Sequence, residues 1–235
     1  MNKALLGLLF VGMLLGSGGC GENAERLNDR AKKAFMTGDQ AEAVSLFGRV
    51  LALDPDNMDA RFYLGWIYKM QGKTDEAIAE FSKARAIQPN YGGTYNHLGD
   101  LYLARGMLDD ALEAFKKAVQ FRPDAAAVHY KLGIAYRHKG DAAEAADAFF
   151  EAGILAVVDD NKDLASNAYQ QLQESGNTQL AAELREVLIP WFDPAGAEAA
   201  GDQVEAQQEN GSEGERVAKR RPGVQAAPGG SSAIR

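Results

Sequence analysis

The residues of this sequence with the greatest capacity for chemistry are one cysteine, Cys20, and three histidines, His97, His129 and His138. A single thiol cannot supply an intramolecular disulfide, a zinc cluster of several thiolates or a haem attachment, because each needs at least two cysteines. His129 and His138 are nine positions apart, which places them on opposite faces of one α-helix. The residue types and their spacing therefore predict no metal site.

Motifs that organise catalytic centres are also missing from the sequence. It contains no HExxH pair, no phosphate-binding glycine loop and no GxSxG turn, and the spacing of its carboxylates singles out no pair. We therefore expect no enzymatic activity and no cofactor. A net charge of −8 with a pI near 5.0 argues against nucleic acid as a partner. The alternative, an enzyme or carrier of a small ligand, would need a deep pocket with convergent titratable groups.

The position of Cys20 suggests a covalent role of another kind. Lys3 precedes an apolar run of twelve residues, 4–15, and small residues lead from that run to the cysteine. A membrane-spanning helix needs roughly 20 apolar residues, so the run is too short to span and is typical of a secretory signal. The segment resembles a bacterial lipoprotein signal peptide, although Ser17 replaces the usual branched aliphatic residue.

This resemblance implies a signal peptide over residues 1–19, a lipid anchor on Cys20 and a short linker over 20–23. It also implies a location in the bacterial cell envelope. Gly21 follows the cysteine, where aspartate is associated with the inner membrane, so the outer membrane facing the periplasm is favoured. Two alternatives remain open at this point: Cys20 lies by chance beside an ordinary cleavage site, or residues 4–19 stay attached as a weak anchor.

The middle of the chain repeats with a period of 34 residues. The repeat is visible in several columns at once, namely Gly38, Gly72, Gly106 and Gly140; Ala43, Ala77, Ala111 and Ala145; Phe47, Phe81, Phe115 and Phe149; and Pro55, Pro89 and Pro123. Within the second unit, Leu64, Gly65 and Tyr68 form one helical stripe, and a second stripe follows Gly72. The glycine is expected to end the first helix of each unit, and the proline to stop the second.

The period and these residues resemble the tetratricopeptide repeat. The resemblance implies an all-α fold, a right-handed superhelix of helical hairpins, with units at 24–57, 58–91, 92–125 and 126–159. In the tryptophan column of the family, the units carry Leu27, Arg61, Tyr95 and His129. Residues 160–192 look like a degenerate capping hairpin stopped by Pro190. Residues 193–235 contain almost no large apolar side chains and are expected to be disordered.

The family also implies a binding surface, the concave face built from the first helix of each unit. Carried onto this sequence, that face contains Asn28 and Lys32 in the first unit, Phe62, Trp66 and Lys69 in the second, Asn96, Asp100 and Leu103 in the third, and Tyr130, Ile134 and Arg137 in the fourth. Glu25, Phe35, Asp59, Met70 and His138 occupy further positions of the same kind. Phe62 and Trp66 suggest an aromatic anchor with a polar rim. The alternative is that Trp66 packs on a neighbouring unit.

A clamp for the carboxylates of chaperone C-termini, known in part of the family, is not expected. Of the residues at the clamp positions, only Lys131 is suitable. We therefore expect an envelope scaffold or adaptor, anchored by lipid at Cys20, that binds a protein or peptide partner on the concave face. The alternative is a subunit of a secretion, pilus or exopolysaccharide-export machine that uses the repeats for assembly.

Overall fold

The computed structural model describes residues 23–192, and that part of the chain contains ten α-helices and no strand. The helices are α1 Ala24–Met36, α2 Gln40–Leu53, α3 Met58–Met70, α4 Thr74–Ile87, α5 Gly92–Ala104, α6 Leu108–Phe121, α7 Ala126–Lys139, α8 Ala142–Val158, α9 Lys162–Glu174 and α10 Thr178–Phe192. The all-helical fold predicted from the sequence is confirmed. Among these helices, none is both long and apolar enough to cross a bilayer. The predicted signal peptide, Cys20 and the predicted disordered tail lie outside the described residues.

The ten helices form five successive hairpins, and each hairpin turns at a glycine in the left-handed conformation. The φ angles of these five glycines lie between 71° and 90°. At the second turn, the amide of Gly72 donates to the carbonyl of Lys69 at 3.1 Å and that of Lys73 donates to Tyr68 at 2.9 Å. These bonds satisfy carbonyls that the helix end would otherwise leave open.

The second helix of a hairpin ends in one of two ways. Helices α2, α4 and α6 stop two residues before a proline, whereas α8 has no closing proline and extends to 17 residues. After α8 the chain turns at Asp160, a non-glycine residue with a φ of 52°. The prediction that Pro190 stops the last helix is wrong, because α10 continues to Phe192. A proline so close to a helix end removes a single intrahelical hydrogen bond.

The five hairpins stack so that their first helices form one continuous row. Helices α1, α3, α5, α7 and α9 each contact the next member of this row. Within residues 23–192, the second helices α2, α4, α6 and α8 do not contact one another across the stack. Among the described second helices, α8 and the last helix α10 are in contact. Over the first four hairpins the stack is therefore tight along one row and open along the other, so it must curve around the tight row. The row of first helices therefore lines the inner, concave face of the solenoid.

The tryptophan column of the repeat is used for a hydrogen bond between units. In this column Arg61, Tyr95 and His129 each bond to the backbone carbonyl six residues earlier, at 3.2, 2.9 and 2.9 Å respectively. The carbonyls belong to Pro55, Pro89 and Pro123, the prolines that close the preceding units. A hydrogen-bond donor thus fixes the start of each first helix to the end of the hairpin before it.

Candidate functional site

The inner face divides into an aromatic half and a more open half. In the aromatic half, Phe35, Trp66 and His97 come from three successive hairpins and form a row, with both ring-centroid distances at 5.2 Å. Trp66 is half-buried in this row. The side chain therefore packs on both neighbouring units, which is the alternative that the sequence left open.

Phe62 does not belong to the exposed surface, and its assignment to an exposed aromatic anchor is wrong. Its side chain is only 7% exposed and lies in the core with Phe81, at a centroid distance of 5.5 Å. The rings of Tyr63, Tyr91 and His97 surround it within 5.7 Å.

His97 is a neutral base held against this aromatic cluster. Its ring stacks on Phe81 at 5.1 Å with an interplanar angle of 12°. Burial, followed by the positive charges of Lys69 and Lys131, lowers the pKa of His97 to about 4, against the opposing effect of Asp100. The unprotonated ring can therefore accept a hydrogen bond, and the Lys69 ammonium lies 3.5 Å from its Nδ1.

The polar residues predicted to form a rim are joined to one another across the units. In the first two hairpins, Lys32 forms an ion pair with Asp59, and Asn28 donates to the same carboxylate at 3.3 Å. Partial burial alone would lower the pKa of Lys32, but the hydrogen bond and the charge of Asp59 raise it above its usual value. The charges of Lys32 and Asp59 therefore compensate each other at this end of the inner face.

The centre of the face carries a different arrangement, in which two lysines share one carboxylate. Lys69 of α3 and Lys131 of α7 both pair with Asp100 of α5, which lies between them. The Lys131 ammonium is 2.9 Å from Asp100 Oδ1 and 3.1 Å from Asn96 Oδ1. We call these residues the central triad: Lys69, Asp100 and Lys131.

At the far end of the face, Arg137 links α7 to α9. Its guanidinium donates to Gln171 and lies 3.8 Å from the carboxylate of Glu174. Arg137 remains exposed. The last hairpin thus joins the same chain of polar contacts as the four repeats before it.

The open half of the face carries apolar side chains that are only partly covered. Leu103, Tyr130 and Ile134 are half-buried, and each packs on a core cluster with one side. The Tyr130 ring lies 5.4 Å from that of Phe149. Of the predicted site residues, these three offer apolar surface to a partner, and Lys69, Asp100 and Arg137 flank them with charge.

Sequence reasoning missed two residues of this site. Lys131 and His97 occupy equivalent positions 34 residues apart and point into the centre of the face. The equivalent positions of His97 and Lys131 were visible in the sequence. Their contacts were not, because the contacting residues belong to other repeats; Lys69 and Lys131, for example, lie 62 residues apart. Within residues 23–192, no group of three or more His, Cys, Asp or Glu side chains is placed to hold a metal ion.

Comparison with protein families assigns the repeats directly. Residues 34–101 match a family model described as tetratricopeptide repeat, and residues 99–140 match a second one described as TPR repeat. These matches identify tetratricopeptide repeats within residues 34–140, and the solenoid of the described residues has the corresponding fold. No curated protein matches the sequence at a significant level.

Three solved structures illustrate the similarity in fold. The MamA protein is 22% identical, with a TM-score of 0.55 over 73% of this chain and 97% of the other. YrrB, described as a TPR protein with an unusual peptide-binding site, is 20% identical, with a TM-score of 0.51 over 70% and 92%. A mutant O-GlcNAc transferase of Thermobaculum terrenum is 23% identical, with a TM-score of 0.51 over 55% of this chain and 25% of the enzyme. At these identities the similarity defines the fold.

Proposed function

We propose that the chain is a lipid-anchored scaffold or adaptor of the bacterial cell envelope that binds a segment of a protein partner on the inner face of its repeats. The anchor is Cys20, and the binding surface is the open half of the face. The observation that carries the binding role is that Leu103, Tyr130 and Ile134 are apolar and only half-buried on α5 and α7, the two helices that also carry Asp100 and Lys131 of the central triad.

This group has the composition of a protein-binding surface. Interfaces place apolar and aromatic side chains at the centre and polar groups around them. The aromatic half already fills its own space, since Phe35, Trp66 and His97 pack on each other. The apolar contacts of a bound segment would therefore lie over α5 and α7, whereas its polar contacts can continue along the face towards α3 and α1 on one side and α9 on the other. YrrB, which has the same fold and is described as having an unusual peptide-binding site, supports this type of use.

Affinity purification from the native cell envelope tests the binding role. We expect Leu103→Arg together with Tyr130→Ala to abolish recovery of the partner, because the two changes remove apolar contact and insert a charge. Val158→Arg is the matched control, since Val158 is 78% exposed on α8. Both variants must retain the helical circular dichroism of the unmodified chain. Recovery that is unchanged in the double variant would move the binding surface away from the inner face.

A separate experiment tests the anchor. Metabolic labelling with a fatty-acid analogue should mark the unmodified chain and should be lost in Cys20→Ser. Ser17→Ala serves as the control, because it changes a neighbouring residue and leaves the thiol intact. Label that persists in Cys20→Ser would contradict lipidation at this residue. Fractionation of the labelled chain between inner and outer membranes then tests the predicted location.

A further inference from the structure

The central triad contains more positive than negative charge. Two ammonium groups, Lys69 from α3 and Lys131 from α7, converge on the single carboxylate of Asp100. The nearest aromatic base, His97, is neutral and supplies no compensating charge. The triad therefore carries one uncompensated positive charge at the middle of the inner face.

The ammonium groups of the triad keep capacity to bind an additional acceptor. The three N–H groups of Lys69 meet two acceptors within the described residues, namely Asp100 and the Nδ1 of His97. The side chains of Lys69 and Lys131 are 29% and 34% exposed, so both can be reached from the open side of the face. A carboxylate that arrives there would form charge-assisted hydrogen bonds without displacing the helices.

The positive charge of the central triad contrasts with the negative charge of the chain as a whole. The chain carries a net charge of −8. The second helices, which form the outer side, expose many carboxylates: Glu76, Asp110, Glu113, Glu144, Asp147 and Glu151. The same helices also expose Lys83, Lys116 and Lys117, but carboxylates are in excess there, so the outer side favours an acidic segment less than the central triad does.

We infer that the Lys69–Lys131 pair is the receptor for one side-chain carboxylate of an acidic segment that binds along the inner face. This inference rests on the proposed binding function and names the chemistry of the partner. The carboxylate belongs to an internal aspartate or glutamate, because the face continues past the triad in both directions, to Lys32 on α1 and to Gln171 on α9. In the unbound chain, Asp100 occupies part of the same pair and competes with the incoming group. The site differs from the chaperone clamp, since its lysines lie in the second and fourth units and bind a single carboxylate.

Selection from a library of random peptides tests the inference with the full chain. The peptides are displayed between constant flanks, so that no free terminus is available to the protein. We expect the selected sequences to be enriched in aspartate and glutamate. Replacing the enriched acidic residue of one selected peptide by its amide should weaken binding about tenfold, the size expected for loss of a hydrogen bond to a charged group.

Three variants locate the effect. Lys69→Met with Lys131→Met should remove the acidic preference, whereas Lys117→Met, on the outer side of α6, should keep it. Asp100→Asn should strengthen binding of the acidic peptide, because it removes the competing carboxylate and keeps an amide oxygen for the lysines. A merely structural role of the triad predicts no such gain. Since Asp100→Asn retains both lysines, it tests the inference even if the double variant fails to fold.

The possible outcomes separate this inference from the proposed function. Selected peptides without acidic enrichment, or acidic peptides that bind the double lysine variant equally well, would overturn the inference and leave the binding function intact. Enrichment that appears only when the peptides have free C-termini would assign the site to a terminal carboxylate and overturn the choice of a side chain. Failure to select any peptide on the inner face would overturn both.

Discussion

Gly99 and Phe115 face each other across the third hairpin, and the phenylalanine ring occupies the space that a side chain at residue 99 would need. A Cβ atom on Gly99 would lie 2.6 Å from Cε1 of Phe115. The same relationship recurs one repeat earlier and one repeat later, with contacts of 3.0 Å to Phe81 and 2.8 Å to Phe149. Gly65, Gly99 and Gly133 thus form a second glycine column, separate from the turn glycines, and each makes one helix–helix contact with the phenylalanine of its own repeat.

Gly99→Ala should destabilise the solenoid by about 1–3 kcal/mol, because the Phe115 ring is fully buried and has no room to move. The better helix propensity of alanine, about 1 kcal/mol, offsets part of this effect. The free energy of unfolding in urea measures the change.

Gly48→Ala is the matched control for this substitution. Gly48 also lies inside a helix, α2, but a Cβ there would have no neighbour within 4 Å. The same change should therefore stabilise the chain by about 0.5–1 kcal/mol. If both substitutions stabilise the chain equally, the Phe115 ring does not constrain residue 99.

These contacts show which features the sequence could predict. The sequence predicted the helical stripe of Leu64, Gly65 and Tyr68 and the end of that helix at Gly72, because these features are local to one repeat. The environment of Trp66 and of Lys69 could not be predicted in this way. Their partners, Phe35, His97 and Asp100, come from other repeats, and their positions depend on the curvature of the stack rather than on the hairpin.

The stability of the solenoid should decrease between neutral pH and about pH 5 through His97. The pKa of His97 is about 4 in the folded chain and about 6.5 when unfolded, so the unfolded chain binds the proton more readily. The contribution of the neutral ring is complete above the unfolded pKa and is lost as the pH falls towards 4. These two pKa values correspond to a decrease of about 2 kcal/mol in the free energy of unfolding at about pH 5.

His97→Phe isolates this contribution from the titration of the carboxylates. Phenylalanine keeps a flat ring against Phe81 and does not titrate. Urea unfolding of both proteins at neutral pH and at about pH 5 should show a smaller pH dependence in the variant. Equal pH dependence in the two proteins would mean that folding does not lower the pKa of His97.

Tyr95→Phe should weaken the connection between the second and third hairpins. The Tyr95 hydroxyl donates to the carbonyl of Pro89 at 2.9 Å, and phenylalanine keeps the ring contact with Phe121 while removing the donor. We expect a loss of about 0.5–1.5 kcal/mol in the free energy of unfolding. Amide hydrogen exchange should show faster exchange at the start of α5. Tyr169→Phe in α9 is the control, since its hydroxyl bonds Gln173 of the same helix and no other unit.

Asp160→Gly should stabilise the junction between the fourth repeat and the last hairpin. Asp160 has a φ of 52° and lies between the end of α8 and the start of α9. A residue with a Cβ adopts this left-handed conformation at an energetic cost, whereas glycine adopts it freely. We expect Asp160→Gly to raise the free energy of unfolding by about 0.5–1 kcal/mol and Asp160→Val to lower it by about 1 kcal/mol. Thermal or urea unfolding measures both changes.

Asp163→Gly, in the first turn of α9, is the matched control and should destabilise the chain, because glycine is a poor helix former. Destabilisation by Asp160→Gly as well would show that the aspartate side chain, rather than the backbone conformation, holds this turn.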